Sequence, residues 1–438
     1  MLACSGFHLQ KQCSAGVTKR ALAVRFSSTA KDTVRVKPVK TAVLMLNMGG
    51  PRNLGETEMF LTRLFTDEDI ISLPFQSKLG PYIARRRTPA MMEKYAKIGG
   101  SCTSFTWTTK QGQLMTELLD KASPETGPHQ HYIGFRYADP LSEDSLLQIE
   151  KFHGFQTFIR SPKPLDFQKD TQGHRMTSHM SSYGAGSNVK PENQTSKMDG
   201  AENIVVFSQY AQYSCCTSGS NLNAIARFCA NRRTTGKWTF IDRWPVHSGL
   251  IESFACLIKA QLNTFPEEVR DNVILLFSAH SLPMKVVKRG DPYPTEVAAT
   301  TVAIMEKLRY SNPYTLVWQS KVGPLPWLRP SVEETLKALA KKGQKHVLLV
   351  PVSFVNEHIE TLGDIDIELK QVAEKAGIVD FRRTPAPNDD PAFIQGIADL
   401  VISRLKSPQK CSPQLLQRCP LCFKRSCHEM RQWITSLA

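Results

Sequence analysis

The chain contains no G-x-G-x-x-G run anywhere in its 438 residues. Its first strand signal, Thr41 to Leu46, ends in Asn47-Met48-Gly49-Gly50-Pro51 ahead of a helical stretch near Glu56 to Phe65. No acidic residue closes a second strand at the distance a ribose contact requires. A nucleotide-dependent oxidoreductase therefore loses its main support. Long apolar runs are also missing. The longest, such as His346 to Val355, fall far short of the ~20 residues that cross a bilayer as a helix, which excludes a membrane-spanning helix. Eleven Cys are too sparse for a secreted disulfide scaffold, and no apolar leader opens the chain, so reduced thiols are expected. Acidic residues are scarce in one place above all. Residues 1–40 hold eight Lys or Arg against the single acid Asp32, with Ser, Ala and Thr between them and Arg25-Phe26-Ser27 resembling a processing site. That composition reads as a mitochondrial transit peptide. Its removal takes seven from the formal charge of +15 and leaves +8, so nucleic-acid binding is not expected.

What is present is an alternation of two periods. Strand signals stand at His131 to Phe135 and Ile204 to Phe207, and more clearly at Val273 to Ser278, Leu316 to Gln319, His346 to Val352 and Val379 to Phe381. Helical spacing marks Thr295 to Leu308, Ser331 to Lys341, Glu368 to Ala376 and Pro391 to Leu405. Alternating strands and helices predict an α/β fold in which a parallel sheet is covered on both faces, repeated in the first half. Ligands are then expected beyond the carboxyl ends of the strands.

Two polar clusters follow such strands: Phe277-Ser278-Ala279-His280-Ser281-Leu282-Pro283-Met284, and Asn356-Glu357-His358-Ile359-Glu360-Thr361-Leu362. A histidine and a carboxylate at equivalent places on one sheet can share a cleft and move protons near neutral pH. The tail adds Cys419, Cys422 and Cys427 in a C-x2-C-x4-C run. Three thiolates this close suit an iron-sulfur cluster or a structural zinc, and either needs a fourth ligand from elsewhere.

These segments resemble the mitochondrial ferrochelatase family. The resemblance runs from about Thr41 to Glu150 and from about Met198 to the C-terminus, through L-M-L-N-M-G-G-P, R-R-T-P, Y-I-G-F-R-Y, Q-Y-S-C, I-D-R-W-P, F-S-A-H-S-L-P-M, R-G-D-P-Y-P, W-Q-S-K-V-G-P and the Cys tail. It implies insertion of Fe(II) into protoporphyrin IX by two Rossmann-like, chelatase-like domains, each with a four-stranded parallel sheet flanked by helices. The implied boundaries are 1–40 for transit peptide and linker, 41–245 and 246–405 for the two domains, and 406–438 for an iron-sulfur extension. It further implies His280 as acceptor of pyrrole protons, with Glu360, Asp364 and nearby His358 relaying protons or assisting metal delivery. Met48, Tyr95, Tyr137, Tyr210, Trp327 and Phe354 match porphyrin-pocket positions, and Arg86, Arg87 and Arg136 are candidates for propionate or solvent-side contacts. The animal-type family places a [2Fe-2S] cluster on Cys215, Cys419, Cys422 and Cys427, with Cys216 an adjacent competitor. A homodimer, peripheral contact with the matrix face of the mitochondrial inner membrane, and partnership with frataxin and protoporphyrinogen oxidase are implied in the same way. The rival reading of the same pocket is a porphyrin or haem carrier with an iron-sulfur sensor.

Several positions depart from the family pattern. Asp364 stands where Glu is usual, with Gly363 beside it in place of a bulkier residue. Gly99-Gly100-Ser101-Cys102-Thr103-Ser104 replaces a pattern closer to G-G-G-S-P-I, which puts propionate contacts from that loop in doubt. His247-Ser248 replaces two consecutive His, leaving His247 as the candidate for metal access. Residues 151–197 form an insertion, nearly free of aliphatic side chains from Gln168 to Ser196, that is expected to be disordered and without a catalytic role. Phe65, Ile70, Ile71, Leu73, Phe75, Leu79, Tyr82 and Ile83, bordered by Arg85-Arg86-Arg87, read as an amphipathic lip suited to an anionic membrane surface.

Overall fold

Apolar runs that neither alternate nor carry charge have to be covered on both sides, and such runs form the central strands of the two sheets of this protein, flanked by outer strands that carry polar or charged residues. The computed structural model describes residues 39–152, apart from 71 and 72, and residues 201–437, apart from 231, 233 and 235. The first sheet contains β1 (Thr41–Asn47), β2 (His129–Phe135), β3 (Asn203–Ser208) and β4 (Lys237–Ile241), all parallel, in the order β2-β1-β3-β4. The second contains β5 (Ile274–His280), β6 (Tyr314–Gln319), β7 (His346–Pro351) and β8 (Asp380–Arg383), again parallel, in the order β6-β5-β7-β8. One topology is thus used twice. In each copy the winding direction reverses between the first and third strands, at β1/β3 and at β5/β7, and a crevice opens there at the carboxyl edge.

The two halves share a core. Val43, Met45, Phe207 and Ile241 of the first sheet join one apolar cluster with Leu275, Phe277, Leu348 and Val350 of the second, through Phe254, Ile258, Phe393 and Ile397 of the Ser248–Leu262 and Pro391–Lys406 helices. Each such side chain contributes about 1.5–3 kcal/mol when fully buried. Those two helices cross in backbone contact: a Cβ added to Gly249 would lie 2.5 Å from the Gly396 Cα.

The Cys-bearing tail docks by its own apolar face. In the Arg425–Ser436 helix Met430 and Ile434 are buried, and the Trp433 ring meets Trp238 at 5.5 Å and Phe240 at 5.7 Å. Metal is therefore not the sole tie between tail and first sheet.

The expected transit-peptide segment up to residue 38, Ile71 and most of the expected 151–197 insertion fall outside the described residues. The backbone of the Ser142–Phe152 helix continues through Lys151 and Phe152. No helix among the described residues is long and apolar enough to cross a membrane. Of the lip residues, Phe75 and Tyr82 are exposed and Leu73, Leu79 and Ile83 partly so, whereas Phe65 turns inward into a core cluster with Phe60 and Tyr137.

Candidate active site

His280 ends β5, and the segment carrying His358 and Glu360 follows β7, its neighbour in the sheet. The two polar clusters therefore meet: His280 Nε2 lies 3.8 Å from Glu360 Oε1. His280 Nδ1 is 2.6 Å from the Ser281 carbonyl oxygen. Since a carbonyl only accepts, the ring proton sits on Nδ1 and the free lone pair sits on Nε2, toward Glu360. Below the pair, the Ser278 hydroxyl donates to Gln319 Oε1, and Gln319 Nε2 donates to the Glu360 carbonyl at 3.1 Å. Tyr293, buried, lies beside Ser353 and the His280 backbone, and the His280 N–H donates to Ser353 Oγ at 3.3 Å. Neither Tyr293 nor Ser353 was singled out from sequence, although R-G-D-P-Y-P contains the tyrosine.

The periodicity predicts an α-helix from Glu368, but the chain turns helical at Glu360 and runs as a π-helix over Glu360–Leu369 before the α-helix Lys370–Ala376. Positions four apart share one side of this helix, so Glu360, Asp364 and Glu368 form one file of carboxylates, each within electrostatic reach of the next. Lys94, from the Gln76–Lys97 helix, reaches Asp364 at 3.3 Å and Glu368 at 2.7 Å, while the Ser320 hydroxyl donates to Asp364 at 3.0 Å. Burial raises the pKa of Glu360, with His280 opposing and Asp364 adding to the rise. Asp364 is also raised by burial, against the pull of Lys94 and the Ser320 hydrogen bond. His358 is the reverse case: burial, then the neighbouring His280 and Arg383, bring its pKa down to about 3, so its ring is neutral at physiological pH. The His358 ring stands 4.7 Å from Phe354, and neither His358 Nδ1 nor Glu360 Oε2 has a hydrogen-bond partner among the described residues.

The carboxyl edge of the first sheet supplies the facing wall. After β1 the chain turns at Gly49, whose φ of +76° and whose approach to Phe135, 2.7 Å from an added Cβ, admit only glycine. Met48 lies beside it, its backbone next to Tyr210, and burial and the nearby Glu360 charge keep the Tyr210 phenol protonated. Tyr95 is buried against Cys102 and within the field of Glu360. On the other side the Trp327 ring centroid is 6.3 Å from that of His280, and the buried Trp327 Nε1 has no partner among the described residues.

Other expected pocket residues are placed differently. Tyr137 is 1% exposed, and its hydroxyl donates to Asp67 Oδ2 at 2.5 Å. Arg136 pairs with the same carboxylate at 3.1 Å and donates to Ser220 Oγ at 3.0 Å. Asp67 thus holds both residues as a buried buttress, which no sequence motif announced. Arg86 and Arg87 are exposed on the Gln76–Lys97 helix, Arg86 donating to the Tyr82 hydroxyl at 3.3 Å and Arg87 lying 5.6 Å from the Phe65 ring centroid. The Thr103 hydroxyl donates to the Glu357 carbonyl, so it is committed to bridging the two edges. His247 caps the Ser248–Leu262 helix, its Nδ1 accepting from the Gly249 N–H at 3.3 Å, with Asp399 as its charged neighbour.

A cavity of about 130 Å³ is lined by Cys215, Cys419, Cys422 and Cys427 together. Cys216 is buried and does not line it. Among the described residues no three metal-ligating side chains are already drawn into a closed set, so the four sulfurs share a cavity without forming a preassembled site. Asp291 orders this cavity: its Oδ2 accepts from the Cys215 N–H at 2.8 Å and the Ser214 hydroxyl at 3.1 Å.

A histidine with its Nε2 turned to a buried carboxylate, a file of carboxylates leading away from it and an aromatic wall, set where two duplicated parallel sheets expose their switch points, fit a metal chelatase of the α/β type. Comparison with known proteins specifies it further. The ferrochelatase family model matches residues 40–163 and 167–405. The mitochondrial ferrochelatase of Bos taurus is 45% identical over 435 residues, covering 97% of this chain and 93% of that protein. The mitochondrial ferrochelatase of Homo sapiens is 46% identical over 400 residues, covering 91% and 84%. Among solved structures, SirB from Bacillus subtilis with Fe3+ matches with a TM-score of 0.43 at 10% identity, covering 84% of this chain and 96% of that one. The chain belongs to the ferrochelatase family. The family match ends at residue 405, so the Cys tail lies beyond the part that the model covers.

Proposed function

We propose that the facing sheet edges insert Fe(II) into protoporphyrin IX, releasing two protons and yielding protohaem, the last step of haem biosynthesis, in the mitochondrion. The observation that carries this reading is the His280–Glu360 pair at 3.8 Å, with the carboxylate file running away from it. Two N–H bonds must break as one dication enters, so the porphyrin core keeps its net charge while the protein carries off two protons. His280 has the free Nε2 lone pair to accept them, and Glu360, its pKa raised by burial, passes them toward Asp364 and Glu368. His358 stays neutral and keeps a lone pair for iron rather than holding a proton. Met48, Tyr95, Tyr210, Trp327 and Phe354 form the walls for the macrocycle. Arg136 and Tyr137 position that wall through Asp67, and of the three candidate arginines Arg86 and Arg87, exposed and without a carboxylate partner among the described residues, remain for the propionates.

The tail cavity fits a [2Fe-2S] cluster on Cys215, Cys419, Cys422 and Cys427, since all four thiols line it and four thiolates satisfy such a cluster. When bound, the cluster would tie the tail to the turn after β3, and no step of the insertion passes through it. Peripheral seating on the matrix face of the inner membrane is supported by exposed Phe75 and Tyr82 beside exposed Arg85, Arg86 and Arg87. Homodimeric assembly, on the family resemblance, and an N-terminal transit peptide, on the basic composition of residues 1–40, complete the reading.

The test is anaerobic purification of the chain, with and without residues 151–197, followed by protoporphyrin fluorescence on addition of Fe(II). Quenching with a haem spectrum supports the reading. Folded protein that binds porphyrin and yields no haem in either form overturns it.

A further inference from the structure

Lys94 belongs to the helix that carries the exposed Tyr82 and Arg86, yet its ammonium group lies across the cleft between two carboxylates of the second sheet's π-helix, 3.3 Å from Asp364 and 2.7 Å from Glu368. We propose that Lys94 is a positioning residue that holds the proton-exit file in its charged form and thereby sets the pH range in which metal insertion runs. This rests on the chelatase reading above.

The geometry favours this role over a surface ion pair. Asp364 is only 20% exposed and its other oxygen is taken by Ser320, so both oxygens accept hydrogen bonds and no water-filled space is needed to stabilise the anion. Asp is one methylene shorter than Glu. At this position the shorter side chain keeps its carboxylate near the helix backbone, and the long Lys94 stem supplies the missing reach. Glu368, half exposed, is the outlet to solvent, and Lys94 touches both members. A proton that leaves His280 through Glu360 meets a carboxylate whose charged form is held by Lys94. It then passes to one already at the surface.

The other groups facing the file are accounted for. Glu360 is faced by His280, Asp364 and Lys94, and by the neutral Tyr95, Cys102, Tyr210 and Tyr293. Asp364 is faced by Lys94, Ser320, Glu360 and Glu368. Lys94 is thus the one permanent cation on the file among these groups. It opposes the burial of Asp364, and without it that carboxylate would hold its proton to higher pH.

The test is the pH dependence of kcat/KM for Fe(II) insertion in the full chain and in Lys94→Met, Lys94→Arg and Glu368→Gln. In Lys94→Met the acid limb should move up by at least about half a pH unit, a threefold loss of rate on that limb, with the alkaline plateau kept. Lys94→Arg should restore it. Glu368→Gln, which leaves Lys94 to Asp364 alone, should move the limb the other way. Carboxyl-stretch infrared titration of Asp364, identified by its loss in Asp364→Asn, reads the same shift without turnover. An unmoved limb and an unmoved Asp364 titration in Lys94→Met overturn the proposal, even if stability falls. A wild-type chain that binds porphyrin and inserts no metal overturns the chelatase reading instead, and the infrared titration then still decides whether Lys94 holds Asp364 charged.

Discussion

His280 Nε2 and Glu360 Oε1 stand 3.8 Å apart although eighty residues of chain separate them, because β5 and β7 are neighbours in the second sheet. The separation is too long for a hydrogen bond and short enough for one to form when the imidazole gains a proton. His280→Ala removes the acceptor and should lower the insertion rate by roughly 10²–10⁴-fold. Porphyrin affinity, read from fluorescence titration, should change little, because the ring walls remain. A porphyrin carrier would show no deficit at all, so retention of full haem formation by this variant would remove His280 from the mechanism.

Glu360 should show a trade of stability against activity. Its folded-state pKa is raised by burial, so the folded protein binds this proton more tightly than the unfolded chain does. The associated stability is fully present below the ordinary carboxylate pKa and is lost as pH rises through the raised value. Glu360→Gln mimics the protonated form and should therefore raise Tm at pH 7 by about 1–2 °C, while insertion falls by roughly 10²-fold. The difference in Tm should vanish at pH 4. A variant less stable than wild type at pH 7 would mean that His280 outweighs burial at this carboxylate.

Much of this site was legible in the sequence because chemistry and topology coincide there. A strand that is apolar on both faces announces its own end, and at the ends of β5 and β7 stood a His and a His-x-Glu that the parallel register brings together. The five-residue β4 was missed as a strand because Lys237 and Thr239 interrupt its apolar residues and leave no continuous run. The π-helix was invisible for a different reason: E-T-L-G-D-I-D-I-E-L satisfies an α pattern as well, and only tertiary packing selects the wider turn. Lys94, Asp67 and Tyr293 were hidden because their partners lie 270, 70 and 13 residues away along the chain and carry no fixed spacing.

The neighbouring thiols Cys215 and Cys216 should behave oppositely. Their sulfurs are 3.9 Å apart, yet only Cys215 lines the cavity that Cys419, Cys422 and Cys427 share. Cys215→Ser should abolish the visible iron-sulfur absorption and the acid-labile sulfide of the purified chain, whereas Cys216→Ser should keep both. Loss of the chromophore in Cys216→Ser alone would reverse the ligand assignment. The tail should remain docked in Cys215→Ser, resisting limited proteolysis, because the Trp433 contacts with Trp238 and Phe240 persist without metal.

Asp291 and Tyr293 link that cavity to His280, the proposed proton acceptor, in two steps. One Asp291 oxygen accepts from the Cys215 N–H, the other accepts from the Tyr293 N–H at 3.0 Å, and the Tyr293 hydroxyl meets Ser353 and the His280 backbone. Removing the far end of this chain should affect catalysis alone: Tyr293→Phe takes the hydroxyl away from beside His280 and should cost roughly 1 kcal/mol, about fivefold in kcat, with KM and the cluster spectrum unchanged. Removing the near end should affect both sites, since Asp291→Ala strands the Cys215 N–H and the Ser214 hydroxyl. Faster loss of the iron-sulfur absorption on dilution into chelator should then accompany a lower kcat. If Asp291→Ala loses its cluster at the wild-type rate, the carboxylate is a local fold element and the two sites are independent.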